Sequence, residues 1–436
     1  MIKKEEFAHR RAKVFQQMKE NSVVVIPTFP NIHHSTDEYL NYVPDYDFYY
    51  LTGFVEPEAI AVLLKSEGEE KFILFNRKKD PLVETWLGRR VGQDDASEEL
   101  GVNEAYPIDE FTKRLPGLLT GKNNLYYPVG RYLEFEKQIS EALFELRFKV
   151  RAGVSIPNAI INIEEILSEL RLFKSDAELD LMRTANRISV DAHLRAMKAA
   201  RPGVYEYEVA AELNYEFQRR GCSGYAYPSI VAGGVNACTL HYIVNNQKLR
   251  ENELLLIDAG GKYQFYCADI TRTFPISGKF TDHQKALYEV VLKAQLLAIE
   301  QVKPENSWMN MSEIADRTIT EGLVDLGILK GNVDDLIEQK AFKPFYMHRI
   351  GHWLGIDVHD VGQYKTGDTW RAFEPGMVTT VEPGLYIQPG SKGVDEAWWG
   401  IGIRIEDNVL VTKDGHENFT EALPKTVEDV EAAVKG

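Results

Sequence analysis

Two aspartates, Asp258 and Asp269, stand eleven residues apart in the otherwise mostly apolar stretch from 254 to 274. An apolar run precedes Asp258, a Gly260–Gly261 pair favours a tight turn, and a returning segment carries Asp269. A hairpin of this kind can set the two carboxylates side by side. Neighbouring buried carboxylates repel each other unless a proton or a cation lies between them.

Further polar residues interrupt strand-like apolar runs later in the chain. Glu382 ends the run MVTTVEPG, and Glu406 lies within IGIRIEDNVLV, whose alternation predicts one strand with Arg404 and Glu406 on the same face. The same half of the chain carries the histidines His241, His348, His352 and His359. His348 and His352 are four residues apart in HRIGH, which lacks the glutamate of the HExxH zinc-protease signature.

Each of these residues also has an ordinary structural explanation. One aspartate of the pair could cap a turn and the other could pair with Arg272, and Glu406 could pair with Arg404. A histidine in an apolar segment is more often a hydrogen-bonded core residue than a ligand. Four carboxylates in apolar strands are nevertheless costly without a compensating cation. With one imidazole they could hold two divalent ions, and so oxygen-rich a set favours Mn²⁺ over thiolate-bound zinc. Residue types alone leave both explanations open.

The composition predicts a soluble protein with no nucleic-acid or membrane partner. The chain has 436 residues, enough for two or three domains. Lys+Arg 50 against Asp+Glu 66 gives a net charge of −16, which argues against an anionic partner. No stretch approaches the roughly 18 apolar residues of a membrane span, and the charged N-terminus lacks the apolar core of a signal peptide. Three cysteines at unrelated spacings suit a reducing compartment. We therefore expect a cytoplasmic location.

The order of the periodic segments predicts two domains. Residues 1–170 are expected to form an α/β domain that begins with a helix over Glu5–Lys19 and a strand over Ser22–Pro27. The aromatic run from Tyr46 to Phe54 predicts core packing or a subunit contact. A capping box that begins at Ser175 marks a new start, so the boundary is placed near Arg171. Residues 171–436 are expected to form an α+β domain, with helices over Glu206–Arg219, from Thr281 and over Met311–Leu326, and strands over Met377–Val381 and Ile401–Val411.

Four segments resemble successive motifs of the pita-bread metallopeptidases, namely IDAGGKYQFYCADITRTFPISGKF, HRIGHWLGIDVHDVG, TVEPGLYI and GIGIRIEDNVLVT. RLFKSDAEL resembles the start of the catalytic domain in that family. FAHRRAKVFQQM, DFYYLTGFVEPEA and WLGRRVGQD resemble the N-terminal domain of its bacterial Xaa-Pro aminopeptidase (aminopeptidase P) branch. The likeness therefore covers nearly the whole chain and implies an α/β domain followed by a pita-bread catalytic domain.

The resemblance also implies a ligand set for two divalent metal ions. Asp258 resembles the chelating ligand of one ion, and Asp269 and Glu406 resemble carboxylates that bridge both. His352 and Glu382 resemble the ligands of the second ion. Metal ions in such a site lower the pKa of a bound water, so that it can lose a proton and attack a peptide carbonyl at neutral pH.

Catalytic roles follow from the same resemblance. Glu382 resembles the residue that takes a proton from the attacking water and passes it toward the leaving nitrogen. His241, His348 and His359 resemble histidines that bind substrate and stabilise developing negative charge.

Four other positions matter less directly. Tyr227 and Arg404 resemble residues that orient the ligands beside the substrate. Trp86, expected in a loop, is predicted to reach the active site of a neighbouring subunit in a homodimer or homotetramer. The N-terminal domain would then serve oligomerisation and act as an active-site lid. Arg349 departs from the small or apolar residues that the family places before its liganding histidine, and we expect it to point outward.

The implied reaction is metal-dependent hydrolysis of the bond between an N-terminal residue and a following proline in Xaa-Pro-Yaa peptides. One alternative is a prolidase, which takes Xaa-Pro dipeptides and needs a cation for the free carboxylate on the proline. Arg349 and Arg404 are the candidates for that cation. The other alternative is a non-catalytic binding module on the same fold, which the complete set of five ligands disfavours.

Overall fold

The computed structural model describes residues 2–435, and the chain divides after Arg171 into an N-terminal unit and a C-terminal unit. In the N-terminal unit, strand β1 (Ser22–Pro27) is buried along its whole length. Its alternate residues enter two different cores, Val24 and Ile26 in one, Val23 and Val25 in the other. Because successive strand side chains point to opposite faces, helices must cover both sides of this sheet. The expected α/β domain is confirmed.

The sheet of the N-terminal unit has six strands in the order β4-β3-β2-β1-β5-β6. The pairs β1–β2 and β2–β3 are antiparallel, whereas β3–β4, β1–β5 and β5–β6 are parallel. The other strands are β2 (Ile60–Ser66), β3 (Glu69–Asn76), β4 (Glu104–Pro107), β5 (Asn124–Tyr127) and β6 (Ala159–Asn162). The helices are α1 (Lys4–Gln17), α2 (Tyr46–Thr52), α3 (Pro81–Leu87), α4 (Ala96–Leu100), α5 (Phe111–Leu119), α6 (Leu133–Arg147) and α7 (Glu164–Leu172).

Two sequence features of the N-terminal unit have clear outcomes. The aromatic run forms the buried helix α2, in which Phe48 packs into the core, so the core-packing prediction is confirmed. The prediction that Trp86 lies in a loop is wrong. Asp80 accepts hydrogen bonds from the first turn of α3, and a proline occupies its first position, which is a strong helix start. Trp86 lies on this helix and is 86% exposed.

The C-terminal unit combines helices with small antiparallel sheets, and its α+β class is confirmed. Its helices are α8 (Asp176–Ala199), α9 (Glu206–Arg219), α10 (Asp282–Ile299), α11 (Trp308–Asp325), α12 (Val333–Glu338) and α13 (Val427–Lys435). Its strands are β7 (Ile230–Gly233), β8 (Leu254–Asp258), β9 (Lys262–Tyr263), β10 (Tyr266–Cys267), β11 (Thr271–Pro275), β12 (Lys365–Thr366), β13 (Thr369–Trp370), β14 (Val378–Val381), β15 (Gly384–Ile387), β16 (Ile401–Arg404), β17 (Asp407–Val411) and β18 (His416–Asn418). Among residues 2–435, none of the helices has both the length and the apolar character that crossing a membrane requires.

Strands β8 and β11 form the predicted antiparallel pair, with Asp258 opposite Thr271. The predicted turn is wrong, because β9 and β10 insert a second small hairpin between them. Its turn is at Gln264 and Phe265, both with positive φ. Gly260 has a different role, since a Cβ there would stand 1.7 Å from the carbonyl oxygen of Ala268. Glycine at this position lets the two backbones approach closely.

The prediction of one continuous strand over Ile401–Val411 is also wrong. The chain forms two strands, and each has its own partner: β16 pairs with β15, and β17 pairs with β14. The break falls at Ile405 and Glu406, so Arg404 and Glu406 do not share the face of one strand. The alternation of polar and apolar residues continues through the break and so does not reveal it. The break arises because the two strands pair with different partners in the folded structure.

A fully buried ion pair joins β11 to the start of β17. Arg272 and Asp407 are both 0% exposed, and an Arg272 Nη2 donates to Asp407 Oδ1 at 2.7 Å. Lys425 also donates to Asp407, at 2.6 Å, and Gln295 and Asn418 add two further hydrogen bonds. Arg272 pairs with neither Asp258 nor Asp269, so the ordinary explanation that one of these two aspartates binds it is wrong.

We expect Asp407→Asn to destabilise the C-terminal unit by about 3–5 kcal/mol, because it leaves the buried guanidinium of Arg272 without its counter-charge. Urea unfolding followed by tryptophan fluorescence measures this, since Trp308, Trp353, Trp370, Trp398 and Trp399 all lie in that unit. The control Glu417→Gln removes a surface ion pair with Arg183 and should cost at most about 1 kcal/mol. Equal effects of the two changes would contradict the prediction.

The same pair predicts a direction for the dependence of stability on pH. Burial opposes the charge of Asp407, but Arg272 and Lys425 hold the pKa of its carboxyl well below its usual range. A lowered folded-state pKa contributes stability above the unfolded value of about 3.9. That contribution is lost as pH falls through the folded-state value, so the difference between the Asn variant and the parent should shrink in acid.

Candidate metal centre and active site

One cavity in the C-terminal unit, of about 360 Å³, brings together ten of the residues singled out from the sequence. They are Tyr227, His241, Asp258, Asp269, His348, His352, His359, Glu382, Arg404 and Glu406. Arg349 is exposed and does not line this cavity. Trp86 belongs to the N-terminal unit.

The carboxylates reach the cavity from the ends of strands. Asp258 ends β8, Glu382 follows β14, Glu406 fills the break between β16 and β17, and Asp269 precedes β11. A backbone hydrogen bond outside the strand pairs fixes two of these ends relative to each other, because Glu406 N–H donates to the carbonyl of Thr271 at 3.0 Å. The ends of strands thus hold four carboxyl groups in one place without interrupting the backbone hydrogen bonds within the sheets.

His352 is the histidine that lies among the carboxylates. Its Nε2 lies 3.3 Å from Asp269 Oδ2 and 3.5 Å from Glu382 Oε1. Ligand atoms of Asp269, His352 and Glu406 all lie within 4.8 Å of one another. The Nδ1 atom of His352 is 3.0 Å from the carbonyl oxygen of Trp353. A proton on Nδ1 would hydrogen-bond that carbonyl and leave Nε2 free to bind a metal, as is usual for metal-ligating histidines.

The electrostatics of the cavity fit a cation site. Burial raises the pKa values of Asp269 and Glu406, and neighbouring carboxylates raise them further. The same causes raise the pKa of Glu382 to about 7, although His352 opposes the shift. Burial disfavours the charged form of His352, but Asp269 and Glu382 outweigh it and raise its pKa to about 9. Because the buried carboxylates repel one another, it is costly for all of them to be ionised without a cation. Hard oxygen donors of this kind suit divalent ions.

Neutral and cationic donors orient the carboxylates. The Tyr227 hydroxyl contacts Asp258 Oδ1 at 2.5 Å and also contacts Asp269 Oδ1. An Arg404 Nη2 donates to Asp258 Oδ2 at 2.6 Å. The expected Arg404–Glu406 pair is therefore wrong, since β16 ends at Arg404 and turns its side chain toward β8. Glu406 accepts instead from the hydroxyl of Thr271 at 2.6 Å.

Two residues that the sequence analysis did not assign to the site hold the backbone of Asp269 and Glu406. The side-chain amide of Asn408 accepts from the Asp269 N–H at 2.9 Å and donates to the Asp269 carbonyl. Arg272 donates to the carbonyl of Glu406 at 2.7 Å. The available signal was proximity, because Asn408 and Arg272 lie within three residues of Glu406 and Asp269. A polar residue next to a ligand is too common to predict such a contact.

The ring of His348 belongs to a hydrogen-bonded chain. Arg404 Nη1 donates to the hydroxyl of Tyr386 at 2.8 Å, and that hydroxyl lies 2.9 Å from His348 Nε2. The other ring nitrogen, Nδ1, is 2.8 Å from the carbonyl of Arg349. Burial and the charge of Arg404 lower the pKa of His348 to about 3. The network assigns a neutral ring with the proton on Nδ1.

His241 and His359 differ from His348, because both are exposed to solvent. The rings of His359 and His352 lie 4.3 Å apart at 78°. Burial and the charge of His352 lower the pKa of His359. Within residues 2–435, neither His241 nor His359 hydrogen-bonds through its side chain. These two histidines therefore keep polar atoms available for a bound molecule.

The chain is similar to known peptidases along almost its whole length. Residues 180–413 match the model of metallopeptidase family M24, and residues 7–126 match the N-terminal domain of aminopeptidase P. A Xaa-Pro aminopeptidase of Haemophilus influenzae is 46% identical over 430 residues, which cover 99% of this chain and 97% of that protein. A Xaa-Pro aminopeptidase of Escherichia coli is 44% identical over 432 residues, with 99% and 98% covered.

A solved structure agrees with these likenesses. Aminopeptidase PepP of Pseudomonas aeruginosa has a TM-score of 0.98 at 45% identity, and the match covers 100% of this chain and 98% of that one. The expected pita-bread fold of the C-terminal unit is thereby confirmed. The family match spans more than half of the chain and includes every polar residue of the cavity described above. The chain belongs to metallopeptidase family M24.

Proposed function

We propose that this chain is a metal-dependent aminopeptidase that hydrolyses the bond between an N-terminal residue and a following proline. The observation that carries the proposal is the cavity, in which five metal-ligating side chains and three outer histidines meet. The likeness to Xaa-Pro aminopeptidases over nearly the whole chain supplies the substrate class.

The five residues that would hold two divalent ions are Asp258, Asp269, His352, Glu382 and Glu406. Their oxygen-rich chemistry favours Mn²⁺. When bound, two such ions would act as Lewis acids that polarise the peptide carbonyl and acidify the attacking water. A non-catalytic binding module would not need this complete set of ligands beside histidines with available nitrogens.

Glu382 is placed to move the proton in this reaction. Without a bound cation, burial and the neighbouring carboxylates raise the pKa of its carboxyl to about 7. A carboxylate that lines the cavity at this position can serve as a general base. The hydroxyl of Thr380 donates to Glu382 Oε1 at 3.2 Å and fixes its orientation. The proton taken from the attacking water would pass by way of the Glu382 carboxyl to the leaving nitrogen of proline.

The outer residues bind and orient the peptide. His241 and His359 have nitrogens available to donate to the carbonyl oxygen as negative charge develops on it. His348 acts with Tyr386 as a second polar wall, held in place by Arg404. Tyr227 fixes the two aspartates beside the substrate. The remaining wall is apolar and suits the proline ring, since it is formed by Pro228, Ile230, Leu240, Ile243 and Val358.

Prolidase activity is the second candidate, because a cation, Arg404, lies in the cavity and could bind a free carboxylate on proline. All three side-chain nitrogens of Arg404 already donate within the protein, to Asp258, Tyr386 and Thr271. The arginine is thus committed to positioning the ligands. Peptides that continue past the proline fit this arrangement better than dipeptides do.

The N-terminal unit is proposed to mediate a homodimer or homotetramer and to serve as a lid on a neighbouring active site. Helix α3 supports this, because Leu82, Trp86 and Leu87 are 80%, 86% and 60% exposed. Large apolar side chains clustered on a surface mark interaction sites. We also propose a cytoplasmic location. The three cysteines of the chain support it, because all three are buried and none forms a disulfide.

Asp269→Asn is expected to lose bound metal together with turnover, because an amide cannot neutralise two cations. Elemental analysis and a peptide assay measure the two effects. His241→Ala serves as the control: it should retain the metal content and lose about 2.7–4 kcal/mol of transition-state stabilisation, as removal of one such donor does. An Asn variant with unchanged metal and activity would show that Asp269 is not a ligand.

Peptide length should separate the two candidate activities. We expect Xaa-Pro-Yaa tripeptides to be cleaved before proline with a higher kcat/KM than Xaa-Pro dipeptides. Replacing the proline by alanine should lower kcat/KM by about tenfold or more, because the apolar wall loses its contact with the ring. Dipeptides cleaved well and tripeptides barely cleaved would establish prolidase activity instead.

Trp86→Ala tests the proposed role of the N-terminal unit. The indole is mostly exposed, so the variant should fold normally, with weaker self-association in sedimentation velocity and a higher KM for peptides. Phe144→Ala is the matched control, since Phe144 is an exposed aromatic residue of the same unit, at 63%. If both variants match the parent in mass and KM, Trp86 has neither role.

A further inference from the structure

A second cavity, of about 460 Å³, lies in the C-terminal unit and shares only His348 with the candidate active site. Its volume is in the range of about 300–1,000 Å³ that small-molecule sites occupy. None of the roles proposed above uses it. Its residues come from α11, from the segment after α12 and from the loop around His348.

Four charged side chains line this second cavity. Lys340, Lys343 and Arg349 are cations, and Asp316 of α11 is the carboxylate among them. Within residues 2–435, none of the four side chains forms an ion pair or a hydrogen bond. This differs from the first cavity, where Arg404 is fully engaged by hydrogen bonds.

Asp316 is partly buried although it has no direct partner. Burial raises the pKa of its carboxyl to about 6, and Lys343 and Lys340 oppose the shift from a distance. Lys343 instead lies over the rings of Phe342 and Tyr346, with its Nζ 5.1 and 5.2 Å from their centroids. A carboxylate and several cations therefore face one cavity without neutralising one another.

Aromatic side chains form the rest of the wall. Trp308, Tyr346, Tyr364 and Trp370 all line the cavity. The Trp308 ring packs 5.0 Å from that of Tyr364, and its indole Nε1 is buried without an acceptor among the described residues. Rings packed against one another in this way form a rigid apolar surface beside the charges.

We propose that this cavity binds a free apolar amino acid, with its ammonium group on Asp316 and its carboxylate on Lys343 and Arg349. The carboxylate and the cations that line one cavity offer partners for the ammonium and the carboxylate of a zwitterion, and the aromatic wall matches an apolar side chain. Charge-assisted hydrogen bonds to both groups select for a molecule that carries both. The peptidase reaction releases amino acids, but binding at this cavity can be measured whether or not peptides are cleaved.

The backbone connects this second cavity to the first. The carbonyl of Arg349 is hydrogen-bonded to His348 Nδ1 at 2.8 Å, and His348 in turn meets Tyr386. His348 also lines both cavities, so a ligand in the second cavity would lie beside the histidine at one end of the hydrogen-bonded chain that leads to Arg404. An amino acid bound there is in a position to influence the active cavity.

Isothermal titration of the full chain with L-phenylalanine tests the proposal. Two analogues each lack one charge: 3-phenylpropanoate has no ammonium group, and 2-phenylethylamine has no carboxylate. We expect phenylalanine to bind, and each analogue to bind about tenfold or more weakly, because one charged group of the protein is left unpaired. Absence of phenylalanine binding, or equally tight binding of 3-phenylpropanoate, would overturn the proposal.

Variants show which cavity is occupied. Asp316→Asn and Lys343→Gln should each weaken phenylalanine binding by about tenfold or more. The matched controls Asp325→Asn, on the same helix, and Lys330→Gln change exposed residues and should leave binding unchanged. Binding that is lost in His241→Ala but kept in Asp316→Asn would place the ligand in the active cavity and refute the second site. If Asp316→Asn fails to fold, Lys343→Gln decides alone.

Discussion

The buried ion pair between Arg272 and Asp407 is the constraint on which the candidate site depends. Both groups are wholly removed from water, so each stays paired, and breaking the pair would expose a charge to a low-dielectric interior. Arg272 also donates to the carbonyl of Glu406. The pair thus ties β11 to the break before β17, where one of the candidate metal ligands stands. Asn408 adds the matching bond to the backbone of Asp269.

A surplus of negative charge dominates the cavity that this framework holds open. Four carboxylates meet there, and Arg404 and His352 compensate them only in part. Burial first, and then this repulsion, raises the pKa values of Asp269, Glu382 and Glu406. Divalent cations would relieve the repulsion and lower these pKa values again. The proposed metal site and the proposed proton carrier, Glu382, thus belong to one cluster of carboxylates.

Tertiary structure alone decided several contacts at the site. The continuous alternation of IGIRIEDNVLV gives no sign of the break that sends Arg404 to Asp258 and Glu406 to Thr271. Gly260–Gly261 suggested a turn, whereas close approach to Ala268 explains Gly260. The helix that carries Trp86 is a contrasting case, because Asp80 and Pro81, which begin it, are a signal that the sequence itself contains. The position of the second cavity depends on how α11 and the loop around His348 pack, which no local pattern encodes.

The sequence by itself determined the class of each domain, most helix positions and the residue types of the site. Periodic burial and helix caps are local, and an apolar strand ending in a carboxylate is conspicuous wherever it occurs. A candidate ligand set could be named because Asp258, Asp269, His352, Glu382 and Glu406 lie in motifs with a family resemblance. Which donor orients which carboxylate was decided by the fold. Hydrogen-bond partners such as Asn408 and Tyr386 are set by the pairing of distant strands. Residues that become neighbours only in the folded structure leave no local pattern in the sequence.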